Sequence, residues 1–331
     1  MKTTIADQPI TSYPITDAHP MEGMALLRAV GNTPLLPLRR VTAGISPNVQ
    51  VYAKAEWFNP GGSVKDRPAF NIIRSAVNEC GLLPGMRLLD STSGNMGIAY
   101  ATFGAALEIP ITLVLPENVS PERKAILRAL GAELVLTDPL EGSDGSIRLA
   151  RQMADENPDL YFYANQYDNP ANWQAHYNTT GPEIVAQTGG AITHFVAGLG
   201  TSGTLTGVSK YLREYNPQIQ IVSAQPDSPF HGLEGLKHMP TAIQPGIFDP
   251  SNLDRNLEIP TEQAYQMVQR LAREEGYFVG ISSGAAALAA LQIASELDEG
   301  LVVTVFPDAG YKYLSDEKLW EQKTNEIGNF S

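Results

Sequence analysis

The chain has little of what disulfide-rich and metal-binding proteins use. Among its 331 residues there is one cysteine, Cys80, and none of the five histidines forms an H-x-x-x-H pair. A single cysteine excludes an intrachain disulfide framework and a four-cysteine metal site. Without paired histidines there is no helical zinc motif, so we expect no metal centre. Cys80 falls on the apolar face of a predicted helix, and we interpret it as a core residue.

Positive charge and long apolar runs are also scarce. The sequence has 23 Lys and Arg against 36 Asp and Glu, a net charge of −13, and no basic run is longer than the pair Arg39-Arg40. This balance argues against nucleic-acid binding. No run approaches the roughly 18 apolar residues that cross a bilayer, and residues 1–20 do not resemble a secretion signal. We therefore expect a cytoplasmic protein without a membrane segment, in which residues 1–19 form a mobile N-terminal arm.

The chain is long enough for two domains, and its pattern predicts an α/β fold. With 43% apolar residues, each domain can bury a core. Apolar strand patterns alternate with helical ones, which is typical of parallel sheets covered by helices. The predicted strands are residues 49–55, 87–90, 111–115, 134–137, 192–197, 219–224 and 302–306. The turn-rich stretch 167–172 is the candidate return between two lobes.

Lys65 stands between the glycine pair Gly61-Gly62 and the first turn of a predicted helix. The positive potential at a helix N-terminus favours the neutral form of a lysine, and a neutral amine is a nucleophile toward aldehydes. Taken alone, the same pattern also describes an ordinary solvated lysine. The interpretation of Lys65 therefore depends on what surrounds it.

Two segments rich in glycine and hydroxyl residues, 91–97 and 198–204, each follow a predicted strand and precede a predicted helix. Such turns direct free backbone N–H groups at a concave surface, an arrangement that binds carboxylate or phosphate. Gly198, Gly200 and Gly203 also match the G-x-G-x-x-G dinucleotide fingerprint, so a nicotinamide-dependent oxidoreductase is one alternative. The next predicted strand leads into Gln225-Pro226 where that fingerprint expects an acidic residue, which counts against this alternative.

Together these segments resemble the cysteine synthase group, especially its B type, of the fold-type II enzymes that use pyridoxal 5′-phosphate. The family motif P-G-G-S-V-K-D-R matches residues 60–67, and the T-S-G-N-T-G loop matches residues 92–97. The G-T-G-G-T loop matches residues 200–204, and G-I-S-S-G-A matches residues 280–285. The similarity runs from about residue 31 to about residue 315.

The resemblance implies an architecture of two lobes. Each lobe contains a mostly parallel twisted sheet flanked by helices, and the active site lies in the cleft between them. The smaller, mobile lobe would bind the substrate carboxylate and comprise residues 50–170. The larger lobe would bind the cofactor phosphate and comprise residues 20–49 and 171–331. The resemblance also implies a homodimer.

By resemblance, Lys65 carries the cofactor as a Schiff base, Asn95 bonds the phenolic oxygen of the cofactor, and Ser282 faces its pyridine nitrogen. A serine at that nitrogen gives a weaker electron sink than a carboxylate, which suits β-elimination. Ser282 and Ser283 are also predicted to cap the helix that begins at residue 285. The implied phosphate loop, in which a serine replaces one family glycine, consists of Gly200, Thr201, Ser202, Gly203 and Thr204.

The resemblance also assigns the substrate carboxylate to the loop Thr92-Ser93-Gly94 together with Gln166. Met96 stands where the family usually has threonine, so a hydroxyl donor is lost unless only the backbone of this residue contacts the substrate. Lys237 lies near the place where some relatives that prefer O-phosphoserine carry an arginine, and a lysine there gives a point charge without a bidentate fork. The alternative is a solvated loop lysine.

The implied reaction is a β-replacement. An activated serine, O-acetylserine or O-phosphoserine, loses its leaving group to give an aminoacrylate intermediate, and sulfide adds to form L-cysteine. The sequence does not decide between the two donors, nor between free sulfide and a sulfur-carrier protein as the sulfur source. The alternatives are an enzyme like cystathionine β-synthase or serine/threonine dehydratase, and a catalytically weak regulatory relative.

Overall fold

The computed structural model describes residues 25–92 and 94–320, apart from the side chains of residues 79 and 80. The predicted N-terminal arm and the predicted core position of Cys80 lie outside this description. Ten strands are present in the described ranges: β1 (Leu35–Pro37), β2 (Val49–Ala55), β3 (Arg87–Ser91), β4 (Ile111–Pro116), β5 (Glu133–Thr137), β6 (Tyr161–Tyr163), β7 (His194–Gly198), β8 (Gln220–Pro226), β9 (Arg255–Ile259) and β10 (Gly300–Phe306).

The α-helices connect these strands and cover them. They are α1 (Asp66–Ser75), α2 (Asn95–Leu107), α3 (Pro121–Ala129), α4 (Gly142–Glu156), α5 (Pro170–Asn178), α6 (Thr180–Gln187), α7 (Gly203–Tyr215), α8 (Thr261–Arg270), α9 (Ile281–Ser295) and α10 (Glu317–Trp320). Short π-helical segments extend α1 and α8, at Ala76–Cys80 and Leu271–Glu275. Short 3-10 turns occupy Glu56–Phe58, Pro139–Glu141, Pro250–Asn252 and Gly310–Tyr313.

The strands form two sheets. The larger has the order β1-β2-β10-β7-β8-β9, and the smaller has the order β5-β4-β3-β6. Neighbouring strands are parallel throughout, except that β1 runs antiparallel to β2. Because parallel strands need crossover connections, helices cover both faces of each sheet. The predicted α/β class with two mostly parallel sheets is confirmed.

Alternate residues of one strand enter the cores on opposite faces of the larger sheet. In β7, Val196 packs in the cluster beneath α8 and α9, whereas Phe195 and Ala197 pack in the cluster beneath α7. The smaller sheet shows the same pattern, since Leu88 packs toward α1 and α2 while Leu89 packs toward α4. This period of two explains why the central strands are apolar along their whole length.

Two sequence-based boundaries need correction. The strand β2 belongs to the larger sheet, where it pairs with β10 from Gly300↔Val49 to Phe306↔Ala55, so we propose that the smaller lobe begins after β2 instead of at residue 50. Ser282 and Ser283 do not cap the alanine-rich helix. They lie in the first turn of α9, and Gly280 is the capping residue. The first four N–H groups of a helix have no intrahelical acceptor, so serine hydroxyls in this turn displace no helical hydrogen bond.

Candidate active site

A cavity lies between the two sheets, lined by loops that follow the carboxyl ends of strands from both. Thr92 follows β3 of the smaller sheet, Gly200 follows β7 of the larger sheet, and Pro307 follows β10. In open parallel sheets this edge is where ligands bind.

No helix in the described part of the chain is long and apolar enough to cross a membrane.

Most of the predicted site residues line this one cavity. Those that do are Lys65, Thr92, Gly94, Asn95, Met96, Gln166, Gly200, Thr201, Thr204, Lys237 and Ser282. Ser202 and Gly203 start α7 directly behind the lining residues, and Ser93 lies outside the described residues. The structure thus brings four separate sequence motifs to one place.

Lys65 caps the N-terminus of α1 after a turn in which Gly62 has a φ of +78°. The backbone N–H of Val64 donates to the carbonyl of Pro307 at 2.8 Å, which fastens this turn to the end of β10. Burial lowers the pKa of the Lys65 amine, and the carboxylate of Asp308 offsets part of that effect. The amine therefore reaches its neutral, nucleophilic form more easily than an exposed lysine does.

A buried ion cluster holds the helix that Lys65 begins. Arg67 is 2% exposed, and its guanidinium contacts Glu56 at 2.7 Å and Glu183 at 2.6 Å. Lys54 of β2 contacts the same Glu183 at 2.6 Å. Breaking a buried pair leaves an uncompensated charge, so this cluster keeps α1 fixed against β2 and α6.

The loop 200–204 has the features of a phosphate site. A Cβ on Gly200 would overlap the backbone oxygen of Gly235, and one on Gly203 would overlap the side chain of Asn172, so both positions require glycine. Ser202 caps α7 in the left-handed region, with a φ of +68°. Its hydroxyl is buried without a hydrogen-bond partner among the described residues.

These observations fit the phosphate of pyridoxal phosphate. The N-terminus of α7 supplies free N–H groups and a positive dipole end, and Ser202 supplies an unpaired donor. Thr201 and Thr204 add hydroxyls at the cavity surface. With Lys65 in the same cavity, the residues present can hold both the phosphate and the aldehyde of that cofactor.

Asn95 and Ser282 approach the cavity from opposite sheets. Ser282, in the first turn of α9, is 6% exposed. The Nδ2 of Asn95 donates to Oδ2 of Asp308 at 2.7 Å, and its Oδ1 accepts from Lys312 at 2.6 Å. The Tyr313 hydroxyl donates to the same Oδ2 at 2.9 Å.

The predicted carboxylate-binding residues lie on the side of the smaller sheet. Thr92 Oγ1 accepts from the backbone N–H groups of Gly94 and Gly97, so its own hydrogen stays available as a donor. Gln166 donates an Nε2 hydrogen to the carbonyl of Ser91 at 2.7 Å, and its side chain also hydrogen-bonds the carboxyl group of Asp90. Met96 reaches the cavity, but it is 2% exposed and belongs to the core of the smaller sheet.

Lys237 is buried, so the alternative interpretation of this residue as a solvated loop lysine is wrong. It is 9% exposed, lies 5.0 Å above the ring of Tyr167 and approaches the carboxylate of Asp144 to 3.5 Å. Burial lowers its pKa, and Asp144 opposes that shift. Lys237 therefore reaches the cavity as one half of an ion pair between the two sheets.

A second ion pair crosses the cavity nearby. Arg123 of α3 pairs with Glu234, which belongs to the same loop as Lys237. The guanidinium carbon of Arg123 also lies 5.0 Å from the centre of the Tyr313 ring. Both pairs join helices of the smaller sheet to one loop of the larger sheet.

Comparison with known proteins places the chain in a family. A model of pyridoxal-phosphate dependent enzymes matches residues 26–308. A cysteine synthase of Aquifex aeolicus is 51% identical over 295 residues, which cover 88% of this chain and 90% of that protein. Cysteine synthase B of Pseudomonas aeruginosa is 43% identical over 286 residues, or 86% and 94% of the two chains.

The structural comparison agrees. The crystal structure of the cysteine synthase of Entamoeba histolytica superimposes with a TM-score of 0.85 at 34% identity, covering 97% of this chain and 95% of that one. The chain therefore belongs to the family of pyridoxal-phosphate dependent enzymes. The predicted family, fold type and cofactor are confirmed, and the dinucleotide interpretation of residues 198–204 has no support.

Several cavity residues escaped the sequence analysis. Arg123, Glu234 and Tyr313 line the cavity, and Asp308 and Lys312 contact Asn95 from behind it. For Asp308 a usable signal existed, because it lies two residues after the predicted strand ending at residue 306, and ligand-binding residues gather at such strand ends. The role of Arg123 had no local signal, because it depends on a partner 111 residues away.

Proposed function

We propose that this protein is a cysteine synthase, which forms L-cysteine from an activated serine and a sulfur donor. The observation that carries the proposal is the cavity itself, which joins the amine of Lys65, the phosphate-type loop and the carboxylate-type loop. The cysteine synthases that it resembles are similar over most of their length, which supports the same reaction here.

In this proposal the larger sheet binds the cofactor. The loop 200–204 would hold the phosphate, Ser282 would face the pyridine nitrogen, and Asn95 would reach the phenolic oxygen from the smaller sheet. Bound pyridoxal phosphate supplies an aldehyde that condenses with amines and a ring that accepts electrons. Lys65 is the amine that holds the aldehyde when no substrate is present.

Lys65 also serves as the base. When it is free, the amine of Lys65 would remove the α-proton of the activated serine, because burial favours its neutral form. The bond from Cβ to the leaving oxygen breaks, and acetate or phosphate departs. Sulfur then bonds to Cβ, and Lys65 returns a proton to Cα.

The substrate carboxylate lies against the loop from Thr92 to Met96 and Gln166. The hydroxyl hydrogen of Thr92 remains free after its internal bonds, and Gln166 lines the same cavity. Charge-assisted hydrogen bonds to this loop would draw the smaller lobe toward the cofactor and exclude water from the reacting carbon. The predicted mobility of this lobe belongs to the same proposal.

We further propose that the protein works as a cytoplasmic homodimer, with free sulfide or a sulfur-carrier protein as the source of sulfur. The resemblance to the cysteine synthase group supports the dimer. Light scattering of the purified protein tests it, and a mass near 35.8 kDa, that of one chain, would contradict it.

The deciding experiment measures cysteine formation with O-acetylserine and O-phosphoserine in parallel, each with sulfide. We expect cysteine from at least one donor, and pyruvate release without sulfide would instead indicate a dehydratase. A protein that binds pyridoxal phosphate but forms neither product would be a catalytically weak relative.

Replacing Lys65 with alanine tests the assigned amine. Because Lys65 holds the cofactor, moves the α-proton and releases the product, Lys65→Ala should lower kcat by several orders of magnitude. It should also abolish the borohydride-sensitive visible absorption of the protein. Near-normal cysteine formation by this variant would refute the assignment.

A further inference from the structure

Asp308 and Lys312, which follow β10, hold the side chain of Asn95 in one orientation. Asp308 accepts from Nδ2 at 2.7 Å, and Lys312 donates to Oδ1 at 2.6 Å. A carboxylate only accepts hydrogen bonds and an ammonium only donates them, so the two ends of the amide cannot exchange places. The second Nδ2 hydrogen remains free for an acceptor in the cavity that Asn95 lines.

Asp308 is fully buried and joins the segments that carry the proposed cofactor residues. Its backbone oxygen accepts from the N–H of Gly280, which caps the helix of Ser282, at 3.0 Å. Its Oδ2 accepts from Tyr313 at 2.9 Å in addition to Asn95. Because Tyr313 donates to this oxygen as well, the position of Oδ2 does not depend on Asn95 alone.

Lys312 connects the same amide to the turn that precedes Lys65. Its Nζ lies 3.4 Å from the carbonyl of Gly62 and 2.6 Å from Oδ1 of Asn95. The carboxylates of Asp308 and Asp66 both favour its protonated form, which opposes the lowering of its pKa by burial. A cation at this place can therefore donate both to the turn that precedes Lys65 and to the side chain of Asn95.

We propose that Asp308 and Lys312 are positioning residues that act through Asn95, so that its free amide hydrogen faces the phenolic oxygen of pyridoxal phosphate. The inference rests on the role proposed for Asn95 toward the cofactor. A purely structural role, in which the two residues only fasten the smaller sheet to the end of β10, makes a different prediction.

A double-mutant cycle on cofactor binding distinguishes the positioning role from the purely structural role. Lys312→Met and Asp308→Ala are made singly and in an Asn95→Ala background, and the cofactor-free proteins are titrated with pyridoxal phosphate. We expect each single change to weaken binding about tenfold, the size typical of one hydrogen bond to a charged group. In the Asn95→Ala background the same changes should alter the dissociation constant by less than about twofold.

The visible absorption maximum of the bound cofactor provides a second readout, because a group that only stabilises the fold does not change it. Lys312→Met and Asn95→Ala should shift the maximum in the same direction. Lys312→Arg keeps a donor and should restore both the affinity and the maximum. Lys210→Met is the matched control, because it makes the same substitution at a lysine outside the residues that line the cavity, where Lys210 lies 5.3 Å from the centre of the Trp173 ring.

Losses of affinity that add independently of Asn95, without a shift of the absorption maximum, would overturn the inference. If Asp308→Ala does not fold, the Lys312 half of the cycle decides, because Lys312 is only half-buried. The cycle requires binding and not turnover. A wild-type protein that binds the cofactor but forms no cysteine therefore contradicts the proposed function without affecting this test.

Discussion

Asp66 and Asp90 are fully buried carboxyl groups next to the Lys65 turn and the Thr92 loop. Burial raises the pKa of each from 3.8 to about 7, against opposing backbone hydrogen bonds from Gly61 and Ser91. Between these two values the folded protein retains protons that the unfolded chain has already released. Stability is therefore highest below this window and declines as the pH rises through it.

We predict that the free energy of unfolding falls between pH 5 and pH 7, with each of these groups contributing up to about 1.4 kcal/mol per pH unit. Asp90→Asn should flatten the dependence, and Asp66→Asn is the matched comparison at the other carboxyl. Urea unfolding of each variant across that range measures the slope. An unchanged slope in both variants would show that neither carboxyl is the source.

The side chain of Met96 contacts two environments, the core of the smaller sheet and the cavity. Its thioether fills the core of the smaller sheet and reaches the cavity, so a threonine there offers a hydroxyl to the substrate but leaves a gap in the core. We predict that Met96→Thr binds the activated serine about tenfold more tightly and loses about 1–3 kcal/mol of stability. Titration of the visible spectrum and urea unfolding measure the two effects.

Met96→Leu is the control for that change, because it preserves volume without adding a donor. It should leave both the substrate affinity and the stability near those of the wild type. Unchanged or weaker substrate binding by Met96→Thr would mean that only the backbone of this residue contacts the carboxylate.

At the scale of elements, the loop that begins α7 combines a strained residue with an unpaired hydroxyl. Ser202 adopts a φ of +68°, which costs a residue with a Cβ about 1–2 kcal/mol, whereas glycine adopts it freely. Its hydroxyl has no partner among the described residues. A hydrogen bond from the Oγ of Ser202 to the phosphate of the cofactor would offset this conformational cost.

We predict that Ser202→Gly raises the stability of the cofactor-free protein by up to about 1 kcal/mol and weakens pyridoxal phosphate about tenfold. Ser202→Ala keeps the strain and removes only the hydroxyl, so it should lose the affinity without gaining stability. Thermal unfolding and cofactor titration distinguish the two variants. Full affinity in Ser202→Ala would show that Oγ does not contact the phosphate.

The elements that the sequence analysis predicted best are those buried on both sides. Strand β2 has the predicted bounds, and β4 and β10 differ by at most two residues. The helices α2, α7 and α9 each begin two to four residues earlier than predicted, because their first turns contain glycine and serine, which helical patterns score poorly. Motif matching still selected these turns, because the turns themselves are the motifs, and their residues line one cavity.

Other elements could not be predicted because their stability comes from distant contacts. Strands β1 and β6 have three residues each, too few for a pattern, and β9 exposes its charged residues at the edge of the larger sheet. Asp308 and Lys312 acquire their proposed role only when β10 brings them to Asn95, more than 200 residues away in the chain.

At the scale of the molecule, two ion pairs of opposite polarity span the cavity. The smaller sheet contributes Arg123 and Asp144, and one loop of the larger sheet contributes Glu234 and Lys237. Arg123 and Lys237, which both line the cavity, are thus each partly neutralised by an acid from the other sheet. An anionic substrate entering between the sheets must compete with those acids.

Because of that competition, the cavity could distinguish leaving groups of the donor by their charge. A phosphate carries more charge than the carboxylate of Asp144 and offers three acceptor oxygens, so it should displace Asp144 from Lys237, whereas an acetyl group should not. A buried lysine interacts with a phosphate more strongly than an exposed one, because screening by water and salt is weaker.

We predict that Lys237→Ala lowers kcat/KM for O-phosphoserine about tenfold and leaves O-acetylserine nearly unchanged. Asp144→Asn, which frees Lys237 from its partner, should act in the opposite direction and raise kcat/KM for O-phosphoserine alone. Both variants are assayed with both donors at low and high ionic strength, and the preference should weaken with salt. Equal effects of either variant on the two donors would show that Lys237 does not distinguish the leaving group and serves only to join the two sheets.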